Sequence, residues 1–185
     1  NEDYDNILNI AGDGVMGAVE IPSIDVYLPI YHGTDSKSLE KGAGHLENSS
    51  FPVGGKGTHS IISAHTGLPS AKMFDNLTEV KEGDIFYIHV LNRTLAYEVN
   101  QIKVVLPENI SDLLINKNRD YVTLITCTPY GINSHRLLVR GERIPYREAK
   151  KKDKAESKSN NMWKAYALVG VLAVVLIILL WYYYR

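Results

Sequence analysis

Cysteine is almost absent from this chain, because Cys127 is the single one among 185 residues. One cysteine excludes an intramolecular disulfide and a cysteine-rich zinc site. An excess of charge is also missing, since 20 Lys and Arg face 21 Asp and Glu and leave a formal net charge of −1. Residues 1–146 contain no broad basic patch with interleaved aromatic side chains, which nucleic-acid-binding proteins usually carry. We therefore expect a free thiol and no nucleic-acid partner.

Several site motifs are missing as well. The sequence has no HExxH pair, no glycine-rich phosphate loop ahead of a helix and no metal-type cysteine spacing. These absences argue against a zinc hydrolase, a P-loop enzyme and a dinucleotide-dependent enzyme. The chemistry of the chain has to be sought around its one thiol.

The main part of the chain is rich in β-strand signals. Short apolar runs with many β-branched residues are separated by glycine, proline and asparagine, among them "HSIISAHTG", "YVTLITC" and "RLLVRGERI". This spacing predicts a mainly β domain over residues 17–146, either a barrel or a sandwich, with residues 1–16 as a lead-in. Helical patterns are scarce, and we expect only short helices, for example within 70–80 and 108–116.

The C-terminal part has a different composition. Residues 147–162 are charged and nearly free of apolar side chains, which predicts a linker. Residues 165–184, "AYALVGVLAVVLIILLWYYY", carry no charge over 20 positions. A helix of that length spans a hydrocarbon core of about 30 Å, and aromatic residues lie at both of its ends. We predict a transmembrane helix over 163–185 that anchors the protein in a membrane.

The orientation of this predicted span is ambiguous from charge. Lysines are frequent in residues 150–164, whereas only Arg185 follows the span. The positive-inside rule would then place the β domain in the cytoplasm. A second span upstream of Asn1, or a continuation of the chain beyond Arg185, would change that reading.

Cys127 and Arg136 lie on either side of an eight-residue loop between two predicted strands. If these strands pair, the two residues share a face with Cβ atoms about 5 Å apart, and His135 points to the other face. The arginine could favour the thiolate and hold a developing oxyanion. The alternative is a buried, inert thiol beside an arginine that pairs with a carboxylate.

A cysteine nucleophile also needs a proton donor and acceptor, most often histidine. Among the six histidines, His32 and His45 are predicted in loops and His89 within a strand. His65 ends the run "SIISAH" and is followed by Thr66-Gly67, a strand-to-loop junction of the kind that often carries functional residues. His59 shares its strand face but lies six residues back, roughly 20 Å at strand rise. His65 is therefore the preferred candidate.

The same residues resemble a known family. "TLITC" resembles the TLxTC signature of sortases, "SAHTG" their histidine segment, and "HRLLVRG" the strand of their arginine. The run "TCTPYGINSHRLLVRGERIPY" is similar to that of class C, the pilus-assembling sortases of Gram-positive bacteria. The runs "EIPSIDVYLPIYHGT" and "GAGHLENSSFPVGG" agree in the expected order. The resemblance covers about residues 17–146.

The resemblance implies an eight-stranded sortase β-barrel without metal or organic cofactor. Cys127 would cleave an LPxTG-like sorting signal between Thr and Gly through a thioacyl-enzyme. His65 would act as general acid and base, and Arg136 would hold the substrate and the oxyanion. The acceptor would be a lysine amine of the next pilin subunit, so that pili are polymerised. The C-terminal span fits class C, with the catalytic domain on the extracellular side of the cell membrane.

One feature departs from the class. Class C enzymes commonly carry an N-terminal lid with an Asp-Pro-aromatic motif, whereas residues 1–16 contain no proline. These residues would follow a lid that begins upstream, or the enzyme lacks one, and in either case we expect an open cleft. Two other functions stay open from the sequence: a housekeeping sortase that anchors proteins to a cell-wall precursor, and a membrane-tethered binding module with an inert thiol. A cysteine protease is disfavoured because no papain-type surroundings flank Cys127.

Overall fold

The computed structural model describes residues 2–67, 72–154 and 180–184. The chain divides into two compact units, Asn1–Ala149 and Lys150–Arg185. Most of the predicted transmembrane helix over 163–185 and much of the predicted linker lie outside the described residues. In the described part of the second unit, residues 150–154 and 180–183 are helical. None of the helices in the described ranges is long and apolar enough to cross a membrane.

The first unit is built on eight strands that close into a barrel. In chain order they are β1 Val15–Ile21, β2 Val26–His32, β3 Ala43–His45, β4 Thr58–Ser63, β5 Ile85–Val90, β6 Arg93–Val105, β7 Asp120–Thr128 and β8 His135–Ile144. Around the barrel the order is β1-β2-β3-β4-β7-β8-β6-β5, and β5 pairs with β1 to complete the ring. The predicted eight-stranded barrel is thus confirmed, and the sandwich that the strand pattern left open is excluded.

Two of the strand pairs are parallel and the others are antiparallel. β2 runs parallel to β3, and β4 runs parallel to β7. Parallel neighbours need a crossover connection, whereas antiparallel ones can be joined by a short loop. β7 therefore has a parallel neighbour, β4, on one side and an antiparallel neighbour, β8, on the other.

Helices in the described part of the first unit are short, as predicted. The α-helices are α1 Glu2–Asn6 and α2 Ser36–Leu39, and residues 146–149 at the end of the unit are also helical. Turns of 3-10 helix occur at Pro22–Ile24, Leu77–Glu79 and Ser111–Leu113. The last two fall within the segments predicted as helical, 70–80 and 108–116. Each of these segments forms a single turn rather than a full helix.

The barrel interior is filled by alternate residues of each strand, because successive side chains of a strand point to opposite faces. On β7, Val122 and Leu124 are fully buried and belong to the main apolar core, together with Leu137 and Val139 of β8. The odd-numbered positions of β7 consequently face outward. Cys127 is one of them.

The N-terminal residues pack onto the barrel through one aromatic side chain. Tyr4 of α1 is buried, and its ring stacks on those of His45 and Phe51. Its hydroxyl lies 2.9 Å from Nδ1 of His45 and accepts the N–H of Gly33 at 3.0 Å. Burial is the largest cause that raises the pKa of this hydroxyl. The contact ties α1 to the ends of β2 and β3.

Candidate active site

Cys127 and Arg136 are direct cross-strand partners in the antiparallel β7·β8 pair. The following pair is Thr128 with His135, so His135 belongs to the opposite face. Partners of this kind have Cβ atoms about 4.5–5.5 Å apart. The arrangement predicted from the two strand patterns is confirmed, with thiol and guanidinium on one face at the end of the barrel sheet.

His65 lies near Cys127 on the side of β7 that pairs with β4. Partner residues of the parallel β4·β7 pair differ by 62 in sequence number. This register continues beyond the end of β4, because the Ala64 N–H donates to the Ile125 carbonyl at 3.1 Å and the Thr126 hydroxyl donates to the Ala64 carbonyl at 2.8 Å. The next residue is His65, and the same difference of 62 places it beside Cys127.

The three candidate residues therefore form one lateral row, with Arg136 on β8, Cys127 on β7 and His65 two residues beyond the end of β4. Adjacent strands lie about 4.8 Å apart, so Arg136 lies beside Cys127 on one side, and the continued register places His65 on the other. All three are half-buried and share the outward face. The structure thus brings together every residue selected from the sequence. Each is open to a ligand that lies along the outside of the sheet.

The guanidinium of Arg136 is held by the loop between β7 and β8. Its Nη1 donates to the carbonyl oxygens of Asn133 at 3.1 Å and His135 at 3.0 Å. None of the ion pairs among the described residues involves Arg136, which disfavours the alternative of a structural arginine–carboxylate pair. These bonds fix one edge of the planar guanidinium. The other N–H groups of Arg136 have no protein acceptor in the described ranges.

The neighbourhood of His65 is fixed through the main chain. The His65 carbonyl accepts the N–H of Phe74 at 2.9 Å, which draws the chain away from the strand just after the histidine. Over the part of the chain that is described, the imidazole ring itself has no hydrogen-bond partner. A ring in this state is free to exchange a proton with a thiol or with a bound substrate.

The remaining histidines are engaged elsewhere. His59 is buried, with its ring between the Leu114 carbonyl at 3.1 Å and the Thr123 hydroxyl at 2.7 Å, and burial lowers its pKa. Burial likewise lowers the pKa of His45. His32 contacts the carbonyl oxygens of Ile7 and Gly14, while His89 pairs with Glu20. The selection of His65 over these histidines agrees with their engaged rings.

The prediction that His32 and His45 lie in loops is wrong. They end β2 and β3 and face each other as partners in the parallel β2·β3 pair. β3 has only three residues, too few for an alternating pattern to be recognised.

Two loops meet beside the row. Gly67 has a φ of +77°, and a Cβ added there would lie 3.0 Å from the ring of Tyr130. Tyr130 belongs to the β7–β8 loop and is 71% exposed. The ring thus rests on the chain two residues beyond His65. Glycine is required at this point both by the left-handed backbone and by the close approach.

Sequence reasoning missed the groups that support the row. The Thr126 hydroxyl donates to the Ala64 carbonyl. The Asp75 carboxylate accepts the N–H groups of Gly67 at 2.8 Å and Met73 at 3.0 Å. Nothing in the local pattern marks Asp75, because one of its two partners, Gly67, lies eight residues away across a loop. Thr126 could have been noticed as a polar residue at a core-facing strand position. In the described ranges, no group of three or more His, Cys, Asp or Glu could hold a metal ion.

Comparison with known proteins agrees with this geometry. A profile of the sortase domain matches residues 19–144. The chain therefore belongs to the sortase family, a family of transpeptidase enzymes, as predicted from its motifs.

Solved structures narrow the similarity within the family. Sortase C-1 of Actinomyces oris is 58% identical with a TM-score of 0.75, and the match covers 78% of each chain. A pilus-related sortase C of group B Streptococcus is 52% identical with a TM-score of 0.71 and covers 73% of this chain and 70% of that one. The predicted resemblance to class C is thereby confirmed.

Curated relatives are more distant. Sortase D of Bacillus subtilis is 29% identical over 131 residues, which are 69% of this chain and 63% of that protein. Sortase A of Listeria monocytogenes is 30% identical over 135 residues, which are 72% of this chain and 59% of that protein. The chain thus spans about three fifths of the length of these relatives.

Proposed function

We propose that this protein is a cysteine transpeptidase of pilus assembly. It cleaves an LPxTG-like sorting signal between Thr and Gly and transfers the new acyl group to a lysine amine of a pilin. The observation that carries the proposal is the lateral row of His65, Cys127 and Arg136, formed by β7, β8 and the residues that follow β4. Sortases C at 52–58% identity, one of them described as pilus-related, support the choice of substrate class.

Each residue has a role that its position supports. His65 takes the proton of the Cys127 thiol as the sulfur attacks the threonine carbonyl carbon, and Arg136 donates its unoccupied N–H groups to the oxygen that gains negative charge. His65 gives a proton to the glycine nitrogen as the C–N bond breaks, which leaves a thioester on Cys127. The lysine amine then attacks the thioester carbon. His65 takes the proton from that amine as the C–N isopeptide bond forms. The C–S bond then breaks and His65 passes the proton to the sulfur, which restores the thiol.

The surface beside the row suits an apolar peptide. The Leu114 carbonyl contacts His59, which brings the β6–β7 loop over the outward face of β4. This loop and the end of β6 expose large apolar side chains, namely Val104, Leu106, Ile110, Leu114 and Ile115. Where such exposed apolar side chains adjoin one another they form a binding surface. The leucine and proline of the sorting signal are candidates to pack there.

Mass spectrometry of the acyl-enzyme tests the chemistry. The first unit is mixed with an LPxTG-type peptide and a lysine-bearing acceptor. We expect an adduct of the peptide up to its threonine on Cys127, followed by an isopeptide product. Cys127→Ala should give neither. A failure to find adduct or product with several related peptides would overturn the proposal and favour a binding module.

A second acceptor separates pilus assembly from cell-wall anchoring. The same reaction is run with an amine that mimics a cell-wall precursor peptide in place of the pilin segment. We expect faster resolution of the thioester by the pilin lysine. Preference for the precursor amine would instead assign the chain to the housekeeping role.

We also propose that the enzyme is anchored in the cell membrane by a helix over 163–185, with the catalytic unit on the extracellular side. The 20-residue uncharged stretch of the sequence supports the anchor. Protease treatment of intact cells tests the orientation. Digestion of the catalytic unit is expected, and full protection of this unit would contradict the proposed side.

A further inference from the structure

The candidate base lacks the support that a catalytic histidine usually has. In a Ser-His-Asp site a carboxylate bonds the ring and fixes its orientation. Among the described residues, no carboxylate or other group hydrogen-bonds the ring of His65. The backbone around His65 is therefore what holds this ring in position. The groups that hydrogen-bond that backbone control where the ring lies.

The backbone is fixed on both sides of His65. Upstream, Ala64 is bound to β7 by its N–H and its carbonyl. At the histidine itself, the carbonyl accepts the N–H of Phe74. Two residues downstream, the N–H of Gly67 donates to Oδ1 of Asp75 at 2.8 Å. Asp75 is the only side chain among the described residues that bonds the chain just after His65.

Asp75 itself is well placed to act as a fixed point. Its second oxygen, Oδ2, accepts the N–H of Met73 at 3.0 Å, so the carboxylate joins the two sides of the loop that begins at Gly67. The chain just before Asp75 is anchored, since Met73 and Phe74 are buried in the main core at 3% and 0% exposure. Hydrogen bonds to a carboxylate are short and strong compared with neutral ones.

We propose that Asp75 is a positioning residue for His65. By holding Gly67 against the core-anchored segment 73–75, it sets the direction in which the chain leaves His65 and so keeps the ring beside Cys127. Asp75 takes no part in proton transfer or substrate binding. This inference rests on the proposed role of His65 in the transpeptidase reaction.

Asp75→Asn is the sharpest variant, because it keeps the size of the side chain and one acceptor oxygen. Because its NH₂ group cannot accept a hydrogen bond, the variant can bind only one of the two N–H groups that the carboxylate binds, and the side chain no longer joins Gly67 to Met73. We expect kcat for acyl-enzyme formation to fall about 10-fold, because a displacement of about 1 Å can cost up to 10²-fold in rate. KM should stay within about twofold, since Asp75 does not reach the bound peptide.

Two measurements distinguish a displaced His65 from a general disturbance of the fold: the rate of Cys127 alkylation and the kcat of a matched control variant. The rate at which a small neutral reagent alkylates Cys127 should equal that of the wild type, because β7 keeps both of its neighbours. Asp35→Asn is the control: Asp35 also accepts two backbone N–H groups, those of Lys37 and Ser38, but it caps α2. We expect the control to retain wild-type kcat.

Asp75→Glu covers the case in which the asparagine variant does not fold, since it keeps both acceptor oxygens on a longer stem. We expect it to fold and to retain a kcat between those of the wild type and the asparagine variant. Wild-type kcat in Asp75→Asn, or a loss that follows its unfolded fraction or appears equally in Asp35→Asn, would overturn the inference. Absence of any acyl-enzyme in the wild type would instead count against the proposed function.

Discussion

The hydroxyl of Thr126 donates a 2.8 Å hydrogen bond to the carbonyl oxygen of Ala64. The residue before Cys127 is thereby bonded to the residue before His65, although 62 positions separate them in the chain. Thr126 is 3% exposed and lies on the inward face of β7. The support of the candidate site thus comes from inside the barrel, on the face opposite to that of the three candidate residues.

Removal of this hydroxyl should affect both stability and activity. Thr126→Val keeps the branched shape but leaves the buried Ala64 carbonyl without its donor, which costs about 1–3 kcal/mol of unfolding free energy. We expect acyl-enzyme formation to slow about 10-fold at a temperature where the variant is fully folded. Denaturant titration and single-turnover kinetics measure the two effects.

Thr123→Val serves as the control for Thr126→Val. Thr123 is equally buried, and its hydroxyl contacts Nε2 of His59 at 2.7 Å, away from the row. A similar loss of stability with normal kinetics is expected. Equal slowing in both variants would mean that the Thr126 bond has no specific effect on the site.

Arg136→Lys tests the planar fork of donors. Lysine retains the positive charge but lacks the planar guanidinium that donates to the two loop carbonyls and, in the proposed reaction, to the oxyanion. We expect kcat/KM for the sorting peptide to fall about 10²-fold. Arg140→Lys is the matched change on the same face of β8, where the guanidinium lies over the Tyr121 ring. Comparable losses in the two variants would contradict a specific role for Arg136.

Gly67→Ala should show the cost of the loop contact beside His65. Its φ of +77° costs an L-residue about 1–2 kcal/mol, and the new Cβ would displace the Tyr130 ring. Gly83→Ala has a φ of +94° with open space around it, so it reports the backbone cost alone. We expect Gly67→Ala to lose more unfolding free energy than Gly83→Ala. Adding Tyr130→Ala should remove the excess, and persistence of the excess would disprove the contact.

His59 should make the stability depend on pH. Burial lowers its pKa in the folded state, so below the ordinary value of about 6.5 the unfolded chain binds a proton more readily than the folded one. The stability that the neutral ring provides is present above that pH and is lost as the pH falls. The advantage of the wild type over His59→Gln in unfolding free energy should shrink between pH 7.5 and pH 5. A constant advantage over this range would refute the linkage.

The relation between Cys127 and Arg136 could be predicted from the sequence, because two strands joined by one loop pair as neighbours and their flanking residues face each other. The place of His65 could not be derived in that way. β4 and β7 form a parallel pair, and no local pattern tells which distant strand lies beside a given one. The family resemblance supplied this histidine, and the structure gives the physical reason for its position.

The supporting residues were hidden for a related reason. In the sequence, Asp75 does not differ from other acidic residues in loops. Its structural role depends on two backbone N–H groups that come close to it only in the folded loop. The strand pattern alone could not distinguish a barrel from a sandwich, and the barrel is predicted only through the family resemblance. Strand lengths are compatible with both, and only the pairing of β5 with β1 closes the sheet.

The parallel pairing of β4 with β7 also has a consequence for biogenesis. Contacts between residues far apart in sequence form slowly, because a long loop must be closed before they are gained. His65 and Cys127 depend on such a contact, so the reactive pair is absent from any partly folded chain in which β4 and β7 have not met. A polypeptide emerging in extended form thus carries an unassisted thiol. Catalytic competence would appear only after β4 and β7 have paired.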